Sequence, residues 1–243
     1  MTRPLLEVDG LGKRFGSLVV TDDVSFTLDA DAALGVVGPN GAGKSTMLNL
    51  LSGTVPADRG NVRFQGQDVT ALPASERCRL GIGRTYQIPR PFVGMSVFEN
   101  VLVAATAGAG LRSHAAHTAA VRALDRAGIS RVANERAGNL LLLDRKRLEL
   151  ARALATGPRL VLLDEIGGGL TDAELKILVA TVQQLRSEGI AVIWIEHIVH
   201  ALLQVVDRLL CLTYGRVLVY GTPAEVMSSK AVQDVYLGTE LDA

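Results

Sequence analysis

A chain of 243 residues can bury one sizeable core. Apolar residues make up 48% and aromatics only 4%, which predicts a core of Val, Leu, Ile and Ala. The 25 basic residues are balanced by 25 acidic ones, so the basic excess of a protein that works on nucleic acid is missing.

Two cysteines, Cys78 and Cys211, make no disulfide framework and suit a reduced compartment. The N-terminus, with Arg3, Glu7 and Asp9, does not read as a signal peptide. The longest uncharged candidate, Val101 to Leu111, falls short of the roughly 20 apolar residues that span a membrane. The chain is expected to be soluble or peripheral.

Val8 to Leu28 alternates short apolar segments with Gly10, Gly12, Gly16 and the Asp22-Asp23 pair, and reads as antiparallel strands. Ala32 to Val37 reads as a buried strand entering a loop at Gly38-Pro39, and Lys44 to Leu51 as a helix. Asn61 to Val69, centred on Gly66, reads as a hairpin. From Pro89 to Ala155 the chain turns Ala- and Arg-rich with helical spacing, which predicts a helical insertion. Arg159 to Asp164 reads as a buried strand, Asp172 to Ser187 as a helix stopped by Gly189, and Ile190 to Glu196 as another buried strand. Leu209 to Tyr220 closes as a hairpin turning at Tyr214-Gly215. Strands alternating with helices predict an α/β fold with a mainly parallel sheet covered on both faces.

Gly38-Pro39-Asn40-Gly41-Ala42-Gly43-Lys44-Ser45 fits G-x-x-x-x-G-K-[ST], between a buried strand and a helix start. The glycines let the backbone wrap phosphates with its N–H groups inward, and the helix N-terminus adds partial positive charge. Lys44 is expected to reach the β- and γ-phosphates of ATP, Ser45 to ligate Mg²⁺, and Thr46 to contact phosphate. Downstream, Leu160 to Leu163 is an apolar strand ending in Asp164-Glu165. An aspartate there helps hold Mg²⁺ in phosphate-loop enzymes. Glu165 can polarise a water in line with the γ-phosphate or accept its proton.

With these residues the chain resembles the ATPase subunit of an ATP-binding-cassette (ABC) transporter, over essentially its whole length and in the right order. Gly83-Arg84-Thr85-Tyr86-Gln87 is similar to that family's Q-loop, which implies that Gln87 reaches Mg²⁺ or the attacking water. Ile193-Trp194-Ile195-Glu196-His197 is similar to its switch segment, which places His197 at the γ-phosphate. Phe15 takes the place of the aromatic that stacks on adenine, and Gly221-Thr222-Pro223 ends a similar closing hairpin. The resemblance implies the ABC ATPase fold: a P-loop NTPase core, an N-terminal antiparallel β subdomain and a helical insertion over roughly 89–155, all within one nucleotide-binding domain spanning 1–243. No context marks His114, His117 or His200, and no site is proposed on them.

Gly81 to Gln87, continuing through Phe92 to Met95-Ser96-Val97-Phe98-Glu99-Asn100-Val101-Leu102, is similar to the branched-chain amino acid uptake ATPases, as is Tyr236-Leu237-Gly238. That resemblance implies a second, different ATPase subunit, two membrane permease subunits, a substrate-binding protein reached indirectly, and a place on the cytoplasmic face of the membrane. Gln87 to about Ala104 is expected to face a permease. Importers of urea and short amides stay open, as do a non-transport cassette ATPase and a nucleotide-binding regulator that does not hydrolyse.

Three departures stand out. Where the family's signature L-S-G-G-Q is expected, the chain has Leu140-Leu141-Leu142-Leu143-Asp144. It lacks the serine hydroxyl, and Asp144 is expected to add negative charge beside a partner's ATP. Ile166 stands where proline usually follows the glutamate. Gly167-Gly168-Gly169-Leu170-Thr171 replaces the usual D-loop, with three glycines expected to leave it unusually free. The directional expectation is an asymmetric heterodimer, competent at its own phosphate loop and weak in support of its partner's; a subfamily that tolerates a divergent signature, with both sites working, stays open.

Overall fold

The first two apolar segments pair as β1 (Leu6–Phe15) and β2 (Leu18–Leu28), antiparallel, with Val8 opposite Phe26. The computed structural model describes the backbone of residues 3–240 and side chains as far as 235. After β3 (Ala33–Val37) and helix α1 (Lys44–Ser52), β4 (Arg59–Phe64) adds to the other edge of β1, and β5 (Gln67–Asp68) completes a hairpin turning at Gln65-Gly66. The result is a four-stranded antiparallel sheet in the order β2-β1-β4-β5.

The second sheet contains β3, β6 (Ile82–Arg84), β7 (Leu160–Asp164), β8 (Ala191–Ile195), β9 (Arg208–Thr213) and β10 (Arg216–Gly221), in the order β10-β9-β3-β8-β7-β6. Only β10 runs antiparallel to its neighbour; the other pairs are parallel. Parallel strands buried on both faces read as unbroken apolar runs, which is why alternation is absent from β7 and β8. Their side chains still divide by parity. Leu160, Leu162, Ala191, Ile193 and Ile195 enter a core shared with α1 and the antiparallel sheet. Val161, Leu163, Val192 and the fully buried Trp194 enter a second core on the opposite face.

Between β6 and β7 the chain is helical: α3 (Val97–Val103), a π-helical turn over Ala104–Gly108, α4 (Ser113–Arg126) and α5 (Leu142–Ala155). Ala116, Ala120, Ala123 and Leu124 recur at helical spacing on α4 and join the second core. Further on, α6 (Asp172–Ser187) starts at a capping box in which the Thr171 hydroxyl accepts from Glu174 N–H while Glu174 accepts from Thr171 N–H.

The sequence reading did not anticipate α2 (Ala74–Leu80), the short β6, α7 (Val199–Leu202), α8 (Pro223–Ser228) or α9 (Lys230–Glu240). The Gly-Thr-Pro ending of the last hairpin has a local cause: Thr222 is the N-cap of α8 and Pro223 its first residue. Tyr236, Leu237 and Gly238 lie in α9 beyond the last described side chain. No helix of the described residues is long and apolar enough to cross a membrane.

Candidate active site

The loop from Gly38 to Ser45 leaves the end of β3 and enters α1 at Lys44. Two of its glycines are obligatory. Gly38 has φ 144° and a Cβ there would lie 2.1 Å from the Leu212 carbonyl oxygen. Gly43 has φ 97° and a Cβ would lie 2.4 Å from Val20 O. Gly43 caps α1 without a side chain, so no hydroxyl or carboxylate competes for the first N–H groups of the helix. Lys44 is buried; its Nζ donates to Gly38 O at 2.7 Å and to Pro39 O at 2.9 Å, closing the loop on itself. Burial pulls the Lys44 ammonium below its ordinary pKa, while Glu165 and Asp164 pull the other way.

A cavity of about 460 Å³ opens over this loop. Its walls are Val20, Asn40, Gly41, Ala42, Gly43, Lys44, Ser45, Thr46, Gln87, Glu165 and His197. Three strand ends therefore deliver their residues to one place: β3 the loop, β7 Asp164 and Glu165, and β8 His197. Glu165 is the centre of the arrangement. One carboxylate oxygen accepts from Gln87 Nε2 at 2.5 Å, and the other lies 2.8 Å from His197 Nε2. Its backbone has φ 48°, uncommon for a residue with a side chain.

Asp164 is buried beneath. Its Oδ1 accepts from Ser45 Oγ at 3.3 Å and its Oδ2 from Arg84 Nη2 at 3.0 Å. No group of three or more His, Cys, Asp or Glu side chains suited to a metal gathers among the described residues. Mg²⁺ commonly takes one or two carboxylates together with substrate phosphates and water. One hydroxyl and one carboxylate converging beside a phosphate loop therefore fit Mg²⁺ that arrives with a nucleotide.

The expected adenine platform lies beside the cavity, not in its wall. Phe15, half exposed, ends β1 under the Lys13 ammonium, 5.6 Å from its ring centre, and does not line the cavity. Asp144 corrects a second expectation. Its carboxylate is buried and bonded to both sides by Arg131 Nη2, at 2.6 and 2.7 Å, so its charge is already answered within the chain. Leu140 is buried, while Leu141 and Leu142 are exposed at the start of α5, with Leu141 as an N-cap that supplies no side-chain acceptor. The triple-glycine loop is also less free than its composition implied. Gly167 N–H donates to Glu196 Oε2 at 2.8 Å, and Leu170 N–H to Gly167 O at 3.2 Å.

Four contributors had gone unassigned in the sequence reading. Arg84 braces Asp164, Asn49 Oδ1 and Ser52 Oγ. Thr85 Oγ1 accepts from Asp164 N–H at 3.3 Å. Glu196, buried, accepts from Gly167 and from His197 N–H. Lys146, also buried, donates to the carbonyls of Gln87 and Glu165. Three of them lie inside the quoted Q-loop and switch segments, so proximity was a signal, but their roles depend on neighbours far along the chain.

Residues 21–167 match the pattern of the family described as "ABC transporter". The chain belongs to that family. As an ABC cassette it binds ATP, and its hydrolysis of ATP is coupled to transport. A second pattern, described as "Branched-chain amino acid ATP-binding cassette transporter", matches residues 216–242 of the cassette. The cassette is 34% identical to the high-affinity branched-chain amino acid transport ATP-binding protein BraF of Pseudomonas aeruginosa, over 98% of its own length and 99% of that protein's. It is 36% identical to LivG of Escherichia coli, with the same coverage. It is also 35% identical to the lipopolysaccharide export system ATP-binding protein LptB of Acidithiobacillus ferridurans, over 97% and 98% of the two chains. The ADP conformation of MJ1267, an ATP-binding cassette of an ABC transporter, superposes with a TM-score of 0.89 at 28% identity, covering 98% of this chain and all of that one.

Proposed function

We propose that this cassette energises an importer of branched-chain amino acids, with Glu165 as the residue that activates water. The observation that carries the chemistry is the convergence of Lys44, Ser45, Gln87, Glu165 and His197 on one cavity. Backbone N–H groups of the loop and Lys44 hold the phosphates. Phe15 stacks on adenine from outside the cavity wall. Glu165 accepts a proton from the attacking water, Gln87 aligns that carboxylate and the water, and His197 donates toward the γ-phosphate. Ser45 and Asp164, with Gln87 at the rim, would hold Mg²⁺, which supplies charge neutralisation between the phosphates.

The branched-chain assignment draws on the match at residues 216–242 and on the names of BraF and LivG, against which the LptB relatives set a different cargo. The same reading gives the cassette, a single domain over 1–243 with a helical insertion at 89–155, a place on the cytoplasmic face of the membrane. Its partners are two permease subunits, a second ATPase subunit and, through the permeases, a binding protein. Tyr86, Ile88, Phe92, Val93 and Met95 form an exposed apolar run beside the Q-loop that suits a permease contact.

The divergent start of α5 favours an asymmetric pair. Leu141 offers no hydroxyl to the partner's ATP, whereas the residues around this chain's own loop are complete. The test is ATP turnover and leucine uptake by the assembled transporter in vesicles. Glu165→Gln should abolish most turnover, and the equivalent change in the second ATPase should abolish less. Preserved turnover in Glu165→Gln would sink the assignment; uptake of urea or a lipid in place of leucine would overturn the cargo alone.

A further inference from the structure

We infer that Lys146 is a positioning residue for hydrolysis: from α5 its ammonium fixes the main chains of Gln87 and Glu165 together, and so sets where their side chains meet. Lys146 Nζ donates to Gln87 O at 3.0 Å and to Glu165 O at 3.1 Å. These are the carbonyls of the two residues whose side chains join in the wall of the cavity over the phosphate loop. The inference rests on the reading of that pair as the groups that handle water.

The side chain is an odd choice for mere packing. Lys146 is 4% exposed and makes no ion pair among the described residues. Glu196, Glu165 and Asp164 act on it only at longer range, and burial lowers its pKa despite them. An ammonium kept out of water is costly, and methionine would fill the space at less cost. What the ammonium alone provides is two strong donors at one point.

Glu165 needs such an anchor. Its left-handed backbone conformation, at φ 48°, is disfavoured for a residue with a side chain. Its N–H is held by Ile195 O at 2.9 Å, and its carbonyl is held by Lys146. Without the lysine the peptide can rotate toward a commoner conformation, carrying the carboxylate away from Gln87 and His197. A displacement on the order of 1 Å in a reacting group can cost roughly 100-fold in rate. Because α5 also begins at the exposed Leu141-Leu142 edge, the same lysine ties the helical segment that meets a partner to the residues that hydrolyse ATP.

The experiment compares wild type, Lys146→Met, Lys146→Arg and Glu165→Gln in the full chain assembled with its partner subunits. It measures kcat, KM, binding of a fluorescent ATP analogue, and thermal unfolding. Lys146→Met should lower kcat by about 10- to 100-fold with KM and analogue Kd within about twofold of wild type, and Lys146→Arg should recover most of the rate. Three results overturn the proposal: Lys146→Met turning over at the wild-type rate, rate and nucleotide affinity falling together, or arginine doing no better than methionine. If Lys146→Met does not unfold cooperatively, Lys146→Gln is judged by the same criteria. Glu165→Gln separates the two claims. If it is inactive while Lys146→Met is active, only the lysine proposal fails; if it remains active, the site reading and this proposal fall together.

Discussion

Arg84 and Asp164 form an ion pair at 3.0 Å in which both side chains are withdrawn from water, at 7% and 6% exposure. The pair joins the short edge strand β6 to the strand that ends at Asp164-Glu165, and Arg84 Nη1 continues into Asn49 and Ser52 on α1. Removing one partner of a buried pair strands the other charge. Arg84→Ala should therefore destabilise the cassette by about 3–5 kcal/mol in urea unfolding. A loss below about 1 kcal/mol would mean that the pair behaves like a solvated surface contact.

Gly43→Ala should remove nucleotide binding while leaving secondary structure intact. Its new methyl group would sit 2.4 Å from Val20 O, a backbone atom that cannot swing aside, at φ 97°. Isothermal titration with MgATP, alongside circular dichroism, checks this. Gly41→Ala is the control: nothing lies within 4 Å of its Cβ position, so only the strain of its φ of 79° applies and a smaller loss is expected.

Three helices begin at capping boxes whose glutamates, Glu99, Glu174 and Glu225, accept from the backbone N–H of Ser96, Thr171 and Thr222. Those bonds, with the neighbouring hydroxyls, hold each carboxyl below its ordinary value of 4.5. A pKa that is lower in the folded chain adds stability above the unfolded value, and that stability is lost as pH falls through the folded value. Thermal unfolding should thus become easier as pH drops below 4.5. The triple Glu→Gln variant keeps the caps without a titrating group and should show a flatter profile.

Leu141→Ser should stabilise the chain. Leu141 is 79% exposed and caps α5 with no side-chain acceptor. A serine N-cap is worth about 1 kcal/mol over an apolar residue, visible as a raised melting temperature. In the assembled transporter the new hydroxyl should also raise turnover at the partner's site, measured with Glu165→Gln in the same chain to silence its own.

Much of this was legible in the sequence because it is local. The phosphate loop is eight consecutive residues; the apolar run before Asp164-Glu165 and the 3.6-residue spacing of α6 are patterns within single elements. Three-residue β6 carries no period at all, and its strand character comes from pairing with Leu160 and Val161. Charge compensation was equally hidden. Asp144 read as a repulsive group because Arg131, which neutralises it, lies on a separate 3₁₀ turn. Lys146 carries no signal of its own in the sequence, since nothing local says that the segments holding Gln87 and Glu165, distant in sequence, will cover it.

The loop at Ala42-Gly43 is completed from far away. Gly215 N–H donates to Ala42 O at 3.1 Å, Gly215 O accepts from Asp22 N–H at 2.7 Å, and Val20 O lies against both Gly43 and Gly215. The strand that carries the loop, β3, takes its two neighbours from β8 and β9. A ribosome that has released the first two hundred residues has therefore made every residue of the loop and neither the turn nor the last flanking strand that hold it in shape. Nucleotide capture waits for the final stretch of synthesis, and a chain cut short after β8 carries the whole loop sequence without its function.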